Sequence, residues 1–121
     1  MTTLDGGRQL VADQLNTITT PAQLVVRKTP GAYSKAFDGW VIVERVRRGE
    51  RLRTFDVTFV AVVLLGTDQA VAEQAIADLA TPMIAAFDSQ PVGDVTIEPA
   101  LVPVEGGSHH ALTLTLTMEV T

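Results

Sequence analysis

Five arginines within residues 45–53 are the side chains of this sequence best suited to bind a partner. They are Arg45, Arg47, Arg48, Arg51 and Arg53. A guanidinium can donate two parallel hydrogen bonds to a carboxylate or a phosphate, so the cluster could bind an acidic protein surface or nucleic acid. Nucleic-acid binding favours a basic domain with aromatic side chains interleaved for base stacking.

The surrounding sequence favours a protein partner. The chain is acidic, with a formal net charge of −5 and a pI of about 4.8. Glu44 and Glu50 interrupt the arginine cluster, and no aromatic residue alternates with the arginines. We therefore favour an arm that docks on carboxylates of another subunit. A solvated tip kept from aggregating by its charge and a phosphate-binding tip are the alternatives.

The charges are also divided along the chain. Every Lys and Arg lies between Arg8 and Arg53, and with five carboxylates these nine cations give residues 1–53 a formal charge of +4. Residues 54–121 contain nine carboxylates and no cation. This polarity predicts a head-to-tail contact, in which the basic part of one copy meets the acidic part of the next.

Few residues could support catalysis or metal binding. His109 and His110 are the only histidines, and neighbours at the start of a strand point to opposite faces, so a shared metal would require a bulge. Ser108 lacks a Gly-x-Ser-x-Gly context, and Gly106 and Gly107 lack the spacing of a phosphate-binding loop. The absence of cysteine excludes disulfides and thiolate ligands. We predict no enzyme activity and no cofactor.

Length and hydropathy predict one domain over residues 1–121. A domain of 121 residues can bury a substantial core. The composition is 46% hydrophobic, yet no apolar run reaches the roughly 18 residues needed to span a bilayer. The first seven residues lack a basic region followed by an apolar run, so we expect no secretory leader and synthesis in the cytoplasm.

Two helices are predicted. Thr3 or Asp5 would cap the first, which runs to about Ile18, and Thr67 or Asp68 would cap the second. Pro82 could divide the second helix into two. The apolar stripe that covers the sheet is predicted to consist of Val71, Ala75, Ile76, Leu79, Met83, Ile84 and Phe87.

Strands account for the rest of the pattern. We predict strands at 22–28, 95–101 and 112–121, a turn at 105–108, and a long central hairpin that rises over 40–46, turns at 47–50 and returns over 51–65. The returning strand is apolar on both faces at its far end, which predicts a second covering layer or a neighbouring subunit there. The fold class is α+β, with a mainly antiparallel sheet, a long central β-hairpin, an N-terminal helix and an amphipathic helix packed on the sheet.

This succession resembles a known family. A short helix (Gly7 to Ile18), a strand after Pro21, a long hairpin (Trp40 to Leu65), an amphipathic helix (Asp68 to Phe87) and the closing ALTLTLTMEVT are similar to the tail terminator proteins of long-tailed bacteriophages, the lambda U-like proteins. These are also called tail completion or tail-to-head joining proteins. The resemblance covers nearly the whole chain and rests on size and element order.

The resemblance implies a structural virion protein. Such proteins form a ring, typically a hexamer, on the head-proximal end of the tail tube, end tube polymerisation and present the surface to which the head attaches. It implies the tail tube protein and a head completion or connector protein as partners, DNA that passes through the ring without sequence-specific binding, no membrane, assembly in the host cytoplasm and a final place in the virion tail.

Within this interpretation the arginines contact a neighbour or an axial partner, and the second apolar face of the hairpin packs between subunits or layers. The carboxylates of residues 54–121 could line a channel and keep DNA from adhering. Two alternatives are another ring-forming tail component, such as a tube subunit or head-tail connector, and a cytoplasmic dimeric ligand-binding domain with a pocket between Met83, Phe87 and the sheet. The predicted contact residues are Arg45, Arg47, Arg48, Arg51, Arg53, Val60, Val62 and Leu64.

Overall fold

The chain folds as α+β, with two helices and one five-stranded sheet. The computed structural model describes residues 2–33, 35–104 and 107–121. In chain order the elements are α1 (Leu4–Leu15), β1 (Val25–Arg27), β2 (Asp38–Arg48), β3 (Phe55–Gly66), α2 (Gln69–Ala85), β4 (Val92–Val104) and β5 (Gly107–Val120).

The sheet has the strand order β1-β2-β3-β5-β4. β1 pairs with β2 in parallel, and all other neighbours are antiparallel. β2 and β3 follow each other in the chain and stay paired from Gly39 opposite Val63 to Arg48 opposite Phe55, with an irregularity at Glu44. The turn between them therefore spans 49–54, later than the predicted 47–50, because pairing continues through Arg47 and Arg48.

Both helices pack on the same side of the sheet, which we call the helix face. In β3 this face carries the odd-numbered residues from Val57 to Leu65, and in β5 it carries the even-numbered residues from Leu112 to Val120. Together with α1 and α2 they form one hydrophobic core. The predicted alternation of Leu and Thr in the closing strand is confirmed, since its leucines are buried and its threonines half-buried.

Both helix caps agree with a predicted residue. The Thr3 hydroxyl accepts a hydrogen bond from the Gly6 N–H at 3.0 Å. The Asp68 carboxylate accepts hydrogen bonds from the Ala70 and Val71 N–H groups at 2.9 and 3.1 Å. Each cap satisfies backbone donors that have no partner within their helix.

The helices depart from the prediction in the end of α1 and in the buried stripe of α2, and the open question of a division at Pro82 is decided. α1 ends at Leu15 rather than Ile18. α2 is one helix, because Pro82 lies in its last turn, where the missing donor interrupts little of the hydrogen-bond ladder. The buried stripe of α2 contains Ala72, while the predicted stripe residues Val71 and Ile84 are exposed.

The strands differ mainly in length. β1 has three residues against the predicted seven. β4 runs from Val92 to Val104, beyond both ends of the predicted strand 95–101. It contains Pro99 and Pro103, which an edge strand tolerates because its prolines need no ladder partner on the outer side. β5 already begins at Gly107, within the predicted 105–108 turn. Residues 105 and 106 of that turn lie outside the described residues.

One glycine in the sheet leads to a stability prediction. A methyl group at Gly39 would collide with the backbone carbonyl oxygen of Val62 on the paired strand. Gly39→Ala should therefore lower the free energy of unfolding by about 1–3 kcal/mol, as overpacking does, measured by urea denaturation. At Gly93 the added methyl would meet only the Thr117 hydroxyl, at 3.1 Å, so Gly93→Ala is the control. Equal effects of the two substitutions would contradict the expected collision.

Candidate functional site

The turn between β2 and β3 is held by its own hydrogen bonds. The Gly49 N–H donates to the Thr54 carbonyl oxygen at 2.9 Å. The Thr54 hydroxyl, in a residue that is only 3% exposed, donates to the Arg51 carbonyl oxygen at 2.8 Å. Arg53 adopts a left-handed backbone conformation with φ of 63°. The chain therefore presents a hairpin tip, residues 48–55, with a defined backbone path.

The five predicted arginines are all exposed, but they do not converge on one point. Arg45 and Arg47 pair with Thr58 and Asp56, on the face of the sheet opposite the helices, which we call the open face. Arg48 pairs with Phe55 and lies on the helix face. The remaining two, Arg51 and Arg53, lie in the turn. This spread suits a protruding arm better than a single anion pocket.

The separation of charge along the sequence is partly lost in space. Glu119 on β5 and Asp56 on β3 are paired neighbours beside the arginine-bearing end of β2. The Arg51 Nε lies 3.5 Å from a Glu119 carboxylate oxygen. The charge of the hairpin is therefore partly neutralised at this end by carboxylates from residues 54–121. An open cavity of about 400 Å³ there is lined by Arg47, Glu50, Asp56, Thr58, Pro91, Gly93, Asp94, Thr117, Met118 and Glu119.

Two arginines of the hairpin tip have no ion-pair partner within the described part of the chain. Among the described residues, neither Arg48 nor Arg53 has a carboxylate oxygen within 4.0 Å, whereas Arg51 does. Exposed apolar side chains accompany them: Leu52 is 82% exposed and Phe55 45% exposed. The exposure of Leu52 was not predicted, because Leu52 was assigned to the returning strand 51–65, whereas the structure places it in the turn between two arginines.

The second apolar face of β3 is covered by its own chain. Leu64 has no exposed surface and Val62 is 6% exposed, and they form a small cluster with Ala111. The partly buried side chains packed on this cluster are Trp40, Val60, Val102 and Val104.

This covering corrects the prediction of a second layer or a neighbouring subunit at that end. Trp40 in turn stacks with Tyr33, whose ring centroid lies 5.9 Å away, in the segment that follows β1. The apolar end of β3 on the open face is therefore covered by neighbouring side chains of the sheet and by the segment that contains Tyr33, where a second layer or subunit was expected. Of the three predicted apolar contact residues, Leu64 and Val62 can offer little or no area to a partner, and Val60 remains a candidate.

The outer side of α2 is acidic and partly apolar. The helix contains no Lys or Arg, and Glu73 and Asp78 are exposed. Val71 is 57% exposed and borders a shallow groove of about 250 Å³. The lining residues are Pro21, Phe37, Val71, Gln74, Ala75 and Asp78.

The histidines lie side by side at the start of β5. His109 is opposite Val102 and His110 is opposite Leu101 on the edge strand. As neighbours on a strand they point to opposite faces. Among the described residues, no group of three or more His, Asp or Glu side chains is placed to hold a metal ion.

The pocket expected for a ligand-binding domain is filled. Met83 has no exposed surface and Phe87 is 3% exposed, and both belong to the main core. Across residues 2–33, 35–104 and 107–121, no helix is long and apolar enough to cross a membrane.

No protein-family model matches the chain, and no curated protein matches it. A functional assignment therefore depends on the residues and surfaces described above.

Proposed function

We propose that this protein is a structural subunit that assembles into a ring by head-to-tail contacts, and that the ring is a phage tail terminator. In this role it would cap the head-proximal end of the tail tube, end tube polymerisation and provide the surface for head attachment. The observation that carries the proposal is the hairpin tip, where Arg48 and Arg53 accompany exposed apolar side chains, combined with a second helix that contains carboxylates and no cation.

The physical basis is complementarity between two different surfaces of one chain. A surface that is basic and apolar cannot pair favourably with itself, because like charges repel across a two-fold contact. It can pair with a surface that is acidic and apolar. Contacts between unlike surfaces produce rings when the rotation between subunits closes.

Assembly should weaken as salt is added. Charge pairs at the rim of an interface are screened over about 8–10 Å near physiological ionic strength. We therefore expect native mass spectrometry or sedimentation to find a closed oligomer, such as a hexamer of the 12.9 kDa chain, that dissociates between low and high salt. A salt-independent two-fold dimer would contradict the ring.

Charge reversal of the hairpin tests the docking role. Arg47→Glu with Arg48→Glu should block tail completion and leave the fold intact, because both side chains are exposed on paired strands. Tail completion would be measured by electron microscopy of tails assembled with the variant, and folding by circular dichroism. Lys35→Glu, which reverses an exposed cation outside the hairpin, is the matched control. Normal tails with the double variant would remove the docking role from the hairpin.

A further inference from the structure

We propose that the hairpin tip of one copy docks in the groove beside α2 of a second copy, with Leu52 seated in the groove and Arg48 and Arg53 facing the Asp78 carboxylate at its rim. The inference rests on the proposed function in so far as that function requires head-to-tail contacts. It adds the two surfaces that meet.

The surface that docks consists of an exposed leucine and two nearby arginines that have no ion-pair partner among the described residues. Leu52 is the most exposed large hydrophobic residue among those described, at 82%. Arg53 follows it in the turn, and Arg48 ends the strand that leads into the turn. Arg51 is already paired with Glu119 in its own chain, so Arg48 and Arg53 are the cations of the turn region available to a partner.

The accepting surface has the complementary chemistry. On the α2 side of the groove, Val71, Ala75 and Asp78 follow each other at helical spacing, with Ala75 at the boundary with the core. Phe37 and Pro21 form its other wall. The groove thus has a volume of about 250 Å³, a mainly apolar lining and the Asp78 carboxylate at its rim. An exposed leucine flanked by arginines matches this combination.

The two surfaces cannot meet within one chain. The tip adjoins Phe55 at the start of β3, whereas Phe37 is hydrogen-bonded through its N–H to Leu64 near the end of β3. The nine residue steps from Phe55 to Leu64 span roughly 30 Å at about 3.3 Å per residue. The tip must therefore reach the groove of another molecule.

Cysteine cross-linking tests the contact directly, because the natural chain contains no cysteine. Leu52→Cys and Val71→Cys chains would be mixed under mild oxidation and separated without reductant. We expect an L52C–V71C disulfide dimer at a yield at least roughly tenfold above that of L52C mixed with L101C, whose leucine is also exposed, at 66%. A chain that carries both L52C and V71C should give a ladder that ends at the ring size.

The remaining outcomes each overturn the contact. L52C chains that cross-link chiefly to each other would indicate a two-fold association of tips. Equal yields with V71C and L101C would show random collision. A ring seen by native mass spectrometry without the L52C–V71C product would overturn this contact and leave the proposed function standing, whereas a monomer without the product would count against both.

A charge swap gives an independent readout. Arg48→Asp with Arg53→Asp should weaken assembly roughly tenfold or more, and Asp78→Arg, at the rim of the groove, should weaken it in the same way. Combining the three substitutions in one chain should restore assembly, since the charges are again opposite across the contact. Failure of the combined variant to assemble better than either parent, with circular dichroism showing all three folded, would overturn the contact.

Discussion

Phe59→Ala is expected to lower the free energy of unfolding by about 3–5 kcal/mol, the usual cost of removing a buried aromatic ring. Phe59 lies at the centre of β3 and has no exposed surface. α1 crosses it so closely that a methyl group added at Gly7 would lie 2.7 Å from the ring. Removing the ring would leave a cavity between α1 and the sheet, which the helix cannot fill without shifting.

The matched control is another phenylalanine of the same strand. Phe55 also lies on the helix face, four residues before Phe59, but it is 45% exposed. Phe55→Ala should therefore cost a small fraction of the effect of Phe59→Ala in urea or thermal unfolding. Domains are commonly stable by only about 5–15 kcal/mol. The free energy lost in Phe59→Ala should therefore clearly lower the midpoint of the unfolding transition. Similar costs for both substitutions would show that α1 does not pack on Phe59.

Leu64→Asp is expected to prevent folding. Leu64 is fully buried on the open face, beneath the cluster that includes Trp40. A carboxylate there would have to leave water without a cationic partner, which costs several kcal/mol, in addition to the lost burial of the leucine. Size-exclusion chromatography and circular dichroism would detect the unfolded or aggregated product.

Val60→Asp is the companion variant on the same face of the same strand. Val60 is only partly buried, so its carboxylate can stay hydrated and the variant should fold. Mass measurement of the folded variant then tests the prediction that Val60 contributes to a subunit contact. A folded Leu64→Asp protein would show that the open-face cluster is looser than its burial indicates.

The apolar periodicity of the sequence predicted much of the fold. Alternation from Leu112 to Val120 specified a strand with one buried face, and the α+β class followed from the order of the periodic segments. Two features depended on neighbours that the sequence does not reveal. The strand predicted over 95–101 continues through Pro103 to Val104, because an edge position leaves the missing donor of a proline without consequence. Val71 was predicted to face the sheet, but the rotation of α2 on the sheet buries Ala72 in its place.

The candidate site was predicted in part. The arginine cluster near a turn could be predicted from the sequence, because it depends on residues close together in the chain. The ion pair between Arg51 and Glu119 could not be predicted, because the pairing of β3 with β5 brings Glu119 beside the turn. The exposure of Leu52 beside free arginines, and the groove beside Val71, likewise depend on how separate segments lie against each other.

Local patterns in the sequence were sufficient to predict the fold class, to narrow each helix cap to two residues and to place the arginines near a turn between two strands, since caps and periodicity act over a few residues. Tertiary structure alone decided which charges stay free, which face of β3 its own chain covers, and that the hairpin tip and the α2 groove lie at opposite ends of one strand. Strand pairing brings Glu119 to within 3.5 Å of Arg51, which lies 68 positions earlier in the chain. Opposite charges separated in sequence can therefore neutralise each other in space, whereas Arg48 and Arg53 have no carboxylate partner among the described residues and are available to bind one on another molecule.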